Sequence, residues 1–202
     1  MSLVALDELV SEVRVSMDEN AEQMPYMHGQ YGENLELDEI IRAKVVEAAR
    51  VITEEAPVES LEPTLMVTTV TPSKGGGVLS VPEDFLRLVS IKMKGWSRSV
   101  TVVASEGSDI ELMQRNPHTR GTSVKPVCTF GHNEEGKKVI EYFGSAEEIE
   151  KALYIQIPSV IIDDGIEYLN ISRLLRQSIV RRAVGLVYQS RGEIQLAASY
   201  IG

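Results

Sequence analysis

The sequence feature that most constrains the fold is a change of hydrophobic period that occurs twice along the chain. Near the N-terminus, the apolar residues Leu3, Leu6, Val10, Val13 and Met17 are three or four positions apart. This spacing places them on one side of a helix of about residues 3–20. From about residue 65 the sequence becomes rich in β-branched residues, which is typical of strands, and helical spacing returns after about residue 160. The change predicts an α+β protein whose helical ends flank an inserted β region.

A second helix is predicted before the β region. Asp38 suits its N-cap position, and the helix is expected to end at Glu55 because Pro57 cannot continue it. Residues 24–32 contain one Pro, two Gly and two Tyr without periodicity, so they are expected to form a loop. The apolar stripe of the second helix comprises Leu37, Ile41, Val45, Ala48 and Ile52.

The middle of the chain is predicted to be a small, mostly antiparallel β domain. Pro72–Gly77 supplies a turn, and Glu106–Asn116 is predicted to be a short helix that Pro117 stops. Strands are expected at residues 65–71, 78–81, 86–94, 99–104, 125–130, 137–143 and 152–158.

The C-terminal part is predicted to be helical from Asp163 or Asp164, since an acid favours the positive end of a helix. Gly192 suits a C-cap, and Glu193–Tyr200 can form one further short helix. The predicted organisation is a helical domain made of residues 1–60 and 161–202, packed as a helical bundle. Residues 61–160 are the inserted β domain.

The net charge of −10 lies in the N-terminal part of the chain. Residues 1–60 hold 14 acidic and 4 basic residues, and the remaining 142 residues hold 16 of each. An acidic chain is a poor candidate for wrapping nucleic acid, because affinity for phosphates comes mainly from Lys and Arg. Two interpretations remain: a solvated helical face, or a surface past which DNA slides without sticking.

No constellation of residues indicates catalysis. Cys128 is the one cysteine, so an intrachain disulfide and a cysteine metal cluster are excluded. His28, His118 and His132 lie far apart without metal-ligand spacing, and Lys74–Gly77 lacks the order of residues that a phosphate-binding loop needs. No apolar run approaches the roughly 20 residues of a membrane helix. The sequence therefore predicts a soluble non-enzyme without cofactor, metal or membrane partner.

The C-terminal helix is rich in arginine. Arg173, Arg176, Arg181 and Arg182 have only Glu167 near them in sequence among the acids. These side chains either face water or, in a ring of identical chains, meet the acidic face of the next copy. The residues alone do not separate the two interpretations.

One segment carries a family resemblance. The run from Leu79 to Val89, LSVPEDFLRLV, is followed by Lys92, Gly95–Trp96 and Arg98. It resembles the proline-x-aspartate-phenylalanine-leucine-arginine-leucine segment of tailed-phage head-to-tail connector proteins, the portal-proximal adaptors of podoviruses and crAss-like phages. About 20 residues carry the motif, within a similar order of elements over residues 38–202. The motif positions, which are structural, are Pro82, Asp84, Phe85, Leu86, Arg87 and Trp96.

The resemblance implies a structural virion protein of the phage neck, assembled in the host cytoplasm. Such a protein forms a ring of twelve copies under the portal, binds the portal protein and the next tail protein, and encloses a channel through which double-stranded DNA passes without sequence-specific binding. A non-viral protein-binding or scaffold module without catalytic activity is the alternative. By the resemblance, the candidate subunit or portal interface comprises Arg173, Arg176, Arg181, Arg182, Ile194, Leu196, Tyr200 and Ile201.

Overall fold

A computed structural model describes the backbone of residues 2–21 and 33–201, and the side chains of residues 2–17 and 37–201. The loop predicted at residues 24–32, with His28, lies outside the described residues. The chain divides into two compact units. The first comprises Met1–Glu62 with Ile157–Gly202, and the second comprises Pro63–Gln156.

Within the described ranges the fold is α+β, as predicted, with five α-helices and eleven strands in three sheets. The helices are α1 (Leu6–Ala21), α2 (Glu33–Glu55), α3 (Asp109–Gln114), α4 (Arg176–Ser190) and α5 (Ile194–Ile201). The strands are β1 (Ser2–Ala5), β2 (Thr64–Leu65), β3 (Val70–Ser73), β4 (Gly76–Ser80), β5 (Phe85–Met93), β6 (Val103–Ala104), β7 (Val127–His132), β8 (Lys138–Phe143), β9 (Ile149–Gln156), β10 (Val160–Asp163) and β11 (Ile166–Ile171).

The core of the first unit is the apolar face of α4. This helix packs against α1 and α2 from the other end of the chain, and against α5. Ile179, Val184 and Val187 of α4 are fully buried, and burial of such a side chain contributes about 1.5–3 kcal/mol. The predicted stripes of α1 and α2 supply the opposing surface, with Val13 and Val45 completely buried. No helix in the described ranges is both long and apolar enough to cross a membrane.

The prediction of a helix from Asp163 or Asp164 is wrong. The segment is instead an antiparallel hairpin in which β10 and β11 are joined by Asp164 and Gly165. Both turn residues have positive φ, 48° and 78°, which matches the right-handed twist of the flanking strands in a two-residue hairpin turn. α4 follows only after a 3₁₀ turn at Arg173–Leu175. The Asp-Gly pair between β-branched runs was the sequence signal for this hairpin.

The start of the chain also differs from the prediction. Residues Ser2–Ala5 form β1, which pairs antiparallel with β11, and the helix begins only at Leu6. The first unit therefore contains a three-stranded sheet of order β1-β11-β10. Leu3 was assigned to the helical stripe because its spacing fits, but pairing with β11 determines its conformation.

The second unit contains two sheets, of orders β2-β9-β5 and β3-β4-β8-β7-β6. Its pairs are antiparallel except β6 with β7, which is parallel. The expected strand at residues 65–71 is divided into β2 and β3, and that at 99–104 is reduced to β6. Leu79, Ile91, Ile140 and Tyr142 are completely buried at the centre of its core.

Two glycines of β4 allow the close approach of β8. A Cβ at Gly77 would lie 2.6 Å from Tyr142 Cζ and 2.7 Å from the Thr71 carbonyl oxygen. Tyr142 cannot move aside easily, because its ring is buried and its hydroxyl donates a 2.7 Å hydrogen bond to the Ala146 carbonyl. The triple glycine therefore provides both the turn and the packing surface under an aromatic ring.

We expect Gly77→Ala to destabilise the second unit by about 1–3 kcal/mol, the usual cost of overpacking a filled core. The single tryptophan, Trp96, packs edge-to-face on Tyr142 with ring centroids 6.0 Å apart, so its fluorescence during urea unfolding reports on this unit. Ser80→Ala, on an exposed position of the same strand, is the control and should leave the midpoint unchanged. An unchanged midpoint for Gly77→Ala would contradict the packing argument.

Candidate assembly surfaces

The motif segment forms the inside of the second unit. The Phe85 amide donates a 3.1 Å hydrogen bond to the Pro82 carbonyl, which closes the turn before β5. The Phe85 ring stacks on Tyr154 with centroids 5.8 Å apart and meets Phe130 edge-on at 6.3 Å. Trp96 is buried and donates through Nε1 to the Gly144 carbonyl at 3.3 Å. Leu86 and Arg87 are half-buried.

Asp84 of the motif connects the entry and the exit of the inserted unit. Its carboxylate accepts hydrogen bonds from Tyr154 Oη at 3.0 Å and from Gln156 Nε2 at 2.6 Å. Gln156 is the last residue of the unit, and its Oε1 accepts a 3.0 Å hydrogen bond from Thr64 Oγ1 near the unit's start. Burial, followed by the bond to Asp84, raises the pKa of Tyr154. The motif thus has a structural role in closing the insertion.

Arg176 joins α4 to the acidic first helix within one chain. Its Nη2 lies 2.9 Å from Glu8 Oε2 and 2.6 Å from Glu12 Oε1, and its Nε donates to the same Glu12 oxygen at 3.0 Å. The hydrogen bond to Glu12, followed by that to Glu8, raises the pKa of the guanidinium. Acidic and basic faces therefore meet here within one chain, an arrangement that neither sequence interpretation included.

Two further arginines join elements of the first unit by ion pairs. Arg42 of α2 forms ion pairs with Asp7 of α1 and, at 2.7 Å, with Glu167 of β11. Arg14 of α1 pairs with Asp38 of α2 at 2.6 Å. Part of the negative charge of the N-terminal residues is thus neutralised within the unit.

Arg181 and Arg182 fasten the C-terminal helix α5 onto α4. Arg181 Nη2 donates to the Ser199 carbonyl at 3.2 Å, and Arg182 Nη1 donates to the Ile201 carbonyl at 3.1 Å. Carbonyls in the last turn of a helix lack helical partners, so arginine donors stabilise them. Of the predicted interface residues, Ile194 is 74% exposed and Arg173 is exposed, whereas Leu196, Tyr200 and Ile201 are half-buried.

Close packing of α5 depends on Gly185 in the middle of α4. A Cβ at this position would lie 2.5 Å from Ile201 Cγ1 and 3.0 Å from Tyr200 Cβ. The Tyr200 ring also lies 6.0 Å from the ring of Tyr188, which is buried in the core of the unit. Gly185 therefore allows α5 to pack directly against α4.

A surface groove of about 510 Å³ lies between α1, α4 and α5. It brings together two predicted interface residues, Arg181 and Tyr200, and adds Val15, whose surface is 57% exposed. Val15 was missed, because the helical spacing places it off the buried stripe that contains Val13 and Met17 and a single exposed apolar residue is not by itself a signal. The groove is lined by Ser11, Glu12, Val15, Ser16, Gln177, Val180, Arg181 and Tyr200.

The second unit has a smaller, polar hollow of about 370 Å³. His132 lies there, exposed, with Nδ1 2.8 Å from Glu106 Oε2. Lys74–Gly77 forms the β3–β4 turn and the start of β4. Among the described residues, no three His, Cys, Asp or Glu side chains are grouped so that they could hold a metal ion.

Comparison of the chain with models of known protein families and with curated proteins finds no match.

We expect Arg176→Ala to lower the free energy of unfolding by about 1 kcal/mol, because it removes one arginine from two partly exposed ion pairs and leaves the acids unpartnered. Far-ultraviolet circular dichroism during urea unfolding would measure it, and the loss should shrink at high salt. Arg50→Ala is the matched control, since Arg50 is exposed on α2 and pairs with no acid in the described ranges. A loss equal to that of the control would show that the ion pairs do not stabilise the unit.

We expect Gly185→Ala to release α5 while the rest of the unit stays folded. The new methyl group collides with Tyr200 and Ile201, while alanine is a better helix former than glycine by about 1 kcal/mol. Limited trypsin cleavage near Arg191 and hydrogen exchange over residues 194–201 would both increase. Gln189→Ala, on the exposed side of α4, should change neither the cleavage nor the exchange. If both were also unchanged in Gly185→Ala, the proposed role of Gly185 in packing α5 would be disproved.

Proposed function

We propose that the chain is a structural subunit of a tailed-phage head-to-tail connector. In this proposal identical copies form a ring of twelve on the portal, bridge capsid to tail and help to retain DNA. The subunit performs no reaction, and its partners are further copies of itself, the portal protein and the next tail protein. Its site of action is the neck of the virion.

The observation that carries the proposal is the groove between α1, α4 and α5. Exposed Val15 lies beside Arg181 and Tyr200 there, and exposed apolar groups beside an aromatic and an arginine are typical of protein interfaces. Both ends of the chain contribute to the groove, so a partner that binds it also holds the two ends together. The resemblance of the motif segment supplies the class of partner.

The proposal divides the predicted arginines by role. Arg176 and Arg182 already bond within the subunit, so they position α1 and α5 and are not the contact with a partner. Arg173 is exposed and can reach the portal or a neighbouring subunit. Arg181 is exposed as well, and its hydrogen bond to the Ser199 carbonyl uses Nη2, so its other donors can also reach a partner. We propose that the long helices act as one bundle that keeps this surface rigid.

DNA passing through the ring needs a wall without affinity for phosphate. Residues 1–60 carry a balance of −10, and a negative surface repels the DNA backbone. We therefore propose that the acidic residues of the N-terminal part that do not line the groove face the channel.

We expect the parent chain, mixed with the portal ring encoded in the same genome, to give a portal peak in sedimentation velocity that gains the mass of a complete ring. Val15→Glu should reduce the affinity for the portal about tenfold or more, because it buries an unpaired charge at the interface. Val124→Glu is the matched control, since it introduces the same charge at an exposed valine of the second unit.

The outcomes separate the candidate functions. A portal peak that does not shift, while the chain forms rings alone, would move the protein to a more distal tail ring. Neither rings nor portal binding would disprove the connector function and favour a generic binding module. Equal losses in both variants would show that the groove is not the portal surface.

A further inference from the structure

The three-stranded sheet of the first unit ends in an open strand at each side. Its order is β1-β11-β10, so within the described part of the chain β10 and β1 each pair only with β11. Both outer strands run antiparallel to β11 and therefore parallel to each other. The two open edges thus have the same direction and lie at opposite sides of one sheet.

The alternation of hydrogen bonds determines which backbone groups face outward. Across the two-residue turn, Asp163 pairs with Ile166 and Ile161 with Tyr168, and the Asn170 amide donates to the Ser159 carbonyl at 3.2 Å. Bonded pairs alternate along an antiparallel ladder. The N–H and C=O groups of Val160 and Ile162 consequently point away from β11. Within the described ranges they have no hydrogen-bond partner.

The same argument applies to β1. Because Tyr168 and Asn170 direct their backbone groups to β10, Leu169 and Ile171 direct theirs to β1 and bond Val4 and Ser2. The N–H and C=O groups of Leu3 therefore face the outer edge. In the described part of the chain these groups also have no partner.

Among the residues that the structure describes, nothing gives the β10 edge the usual protection against pairing. Proteins that do not associate through a sheet edge protect that edge against pairing with lysine, proline, β-bulges or covering loops. β10 instead presents Val160, Ile161 and Ile162, all exposed, with Ile162 at 70%, and no register shift interrupts its pairing with β11. Asp163, at the end of β10, is its one charged residue. Such an edge is suited to accept another strand.

We infer that β10 of one subunit pairs with β1 of the next, so that the three-stranded sheets of neighbouring copies join into one. A second copy is the occupant because the chain itself carries the matching edge. The β1 edge is open and runs in the same direction as β10. Its outward backbone groups are at Leu3, and those of β10 are at Val160 and Ile162. Continuation by a rotation keeps the strand direction, so the new pair is parallel. This inference rests on the proposed ring and specifies its subunit contact.

Side-chain alternation supports this pairing. Leu3 lies in the same cross-strand row as Asn170, and Ile161 in the row of Ala5 and Tyr168, so Leu3, Ala5 and Ile161 lie on one face of the sheet. Leu3 and Ile161 are 47% and 40% exposed in the single chain. Joining the sheets would bring these apolar groups into contact with a neighbour and remove them from water.

Disulfide crosslinking tests the pairing directly. Chains with Ile161→Cys are mixed with chains carrying Leu3→Cys, or Ala5→Cys for a register shifted by two residues, and oxidised mildly alone and with the portal ring. The native thiol does not interfere, because Cys128 is buried and burial raises its pKa to about 12. We expect a mixed disulfide in one of the two combinations and little crosslinking in Ile161→Cys alone.

Proline at the edge provides the second readout. Ile162→Pro removes an outward N–H without removing a bond to β11. Its matched control, Ile162→Ala, loses the side chain and keeps the N–H. We expect the chain concentration needed for half-assembly to rise about tenfold in the proline variant relative to the control, the effect of one lost interfacial hydrogen bond at the upper end of its range.

The results distinguish the inference from the function it rests on. Complete rings on the portal with no mixed disulfide and equal assembly of both Ile162 variants would overturn the edge pairing and leave the connector function standing. A mixed disulfide without portal binding would support the pairing and reject the connector. A disulfide between two Ile161→Cys chains would show that β10 pairs with β10 in a two-fold contact, which also overturns the inference. The absence of both assembly and crosslinks would overturn it as well.

Discussion

The structure of the first unit depends on burial of the apolar face of α4. This helix comes from the C-terminal end of the chain, while α1 and α2 come from the N-terminal end, so the core forms only when the two ends meet. Each fully buried side chain such as Ile179 contributes about 1.5–3 kcal/mol, whereas a partly exposed ion pair contributes at most about 1 kcal/mol. Burial therefore supplies the stability, and the pairs of Arg176 and Arg42 determine which faces meet.

A core built from distant segments requires an insertion that closes on itself. β2 and β9 pair where the inserted unit begins and ends, and Thr64 bonds Gln156 across this junction. Asp84 accepts a second bond from Gln156, so the most recognisable motif of the chain also fixes the exit of the insertion. Because these bonds hold the entry and exit of the insertion together, folding of the β unit already closes the long loop between the two helical segments. The entropy lost on closing that loop therefore does not oppose formation of the helical core separately.

The sequence predicted the elements whose residues follow one period over many positions. The stripes of α1 and α2 and the long strands β5, β8 and β9 are examples, because their faces are buried along most of their length. Prediction failed where pairing with a distant strand overrides local spacing, since Leu3 fits the helical stripe and yet pairs with Asn170. It failed for a different reason at Asp164–Gly165, where the local Asp-Gly turn signal outweighs the preference of an acid for a helix start. Of the candidate surface, Arg181 and Tyr200 were predicted, whereas the bonds of Arg176 to Glu8 and Glu12 join residues more than 150 positions apart and no local pattern indicates them.

Charge limits how copies of this chain can associate in the proposed ring. Each copy brings a net charge of −10, so neighbouring copies repel one another, and salt reduces this repulsion only beyond about one Debye length, roughly 8 Å at physiological ionic strength. The arginines that could offset it are partly engaged, since Arg176, Arg181 and Arg182 bond within the chain. In the proposed ring, apolar side chains and backbone hydrogen bonds, which carry no net charge, therefore suit the contacts between copies better than ion pairs do. The exposed β-branched residues of β10 and the open backbone of β1 are groups of this kind, and they lie on the unit to which both ends of the chain contribute.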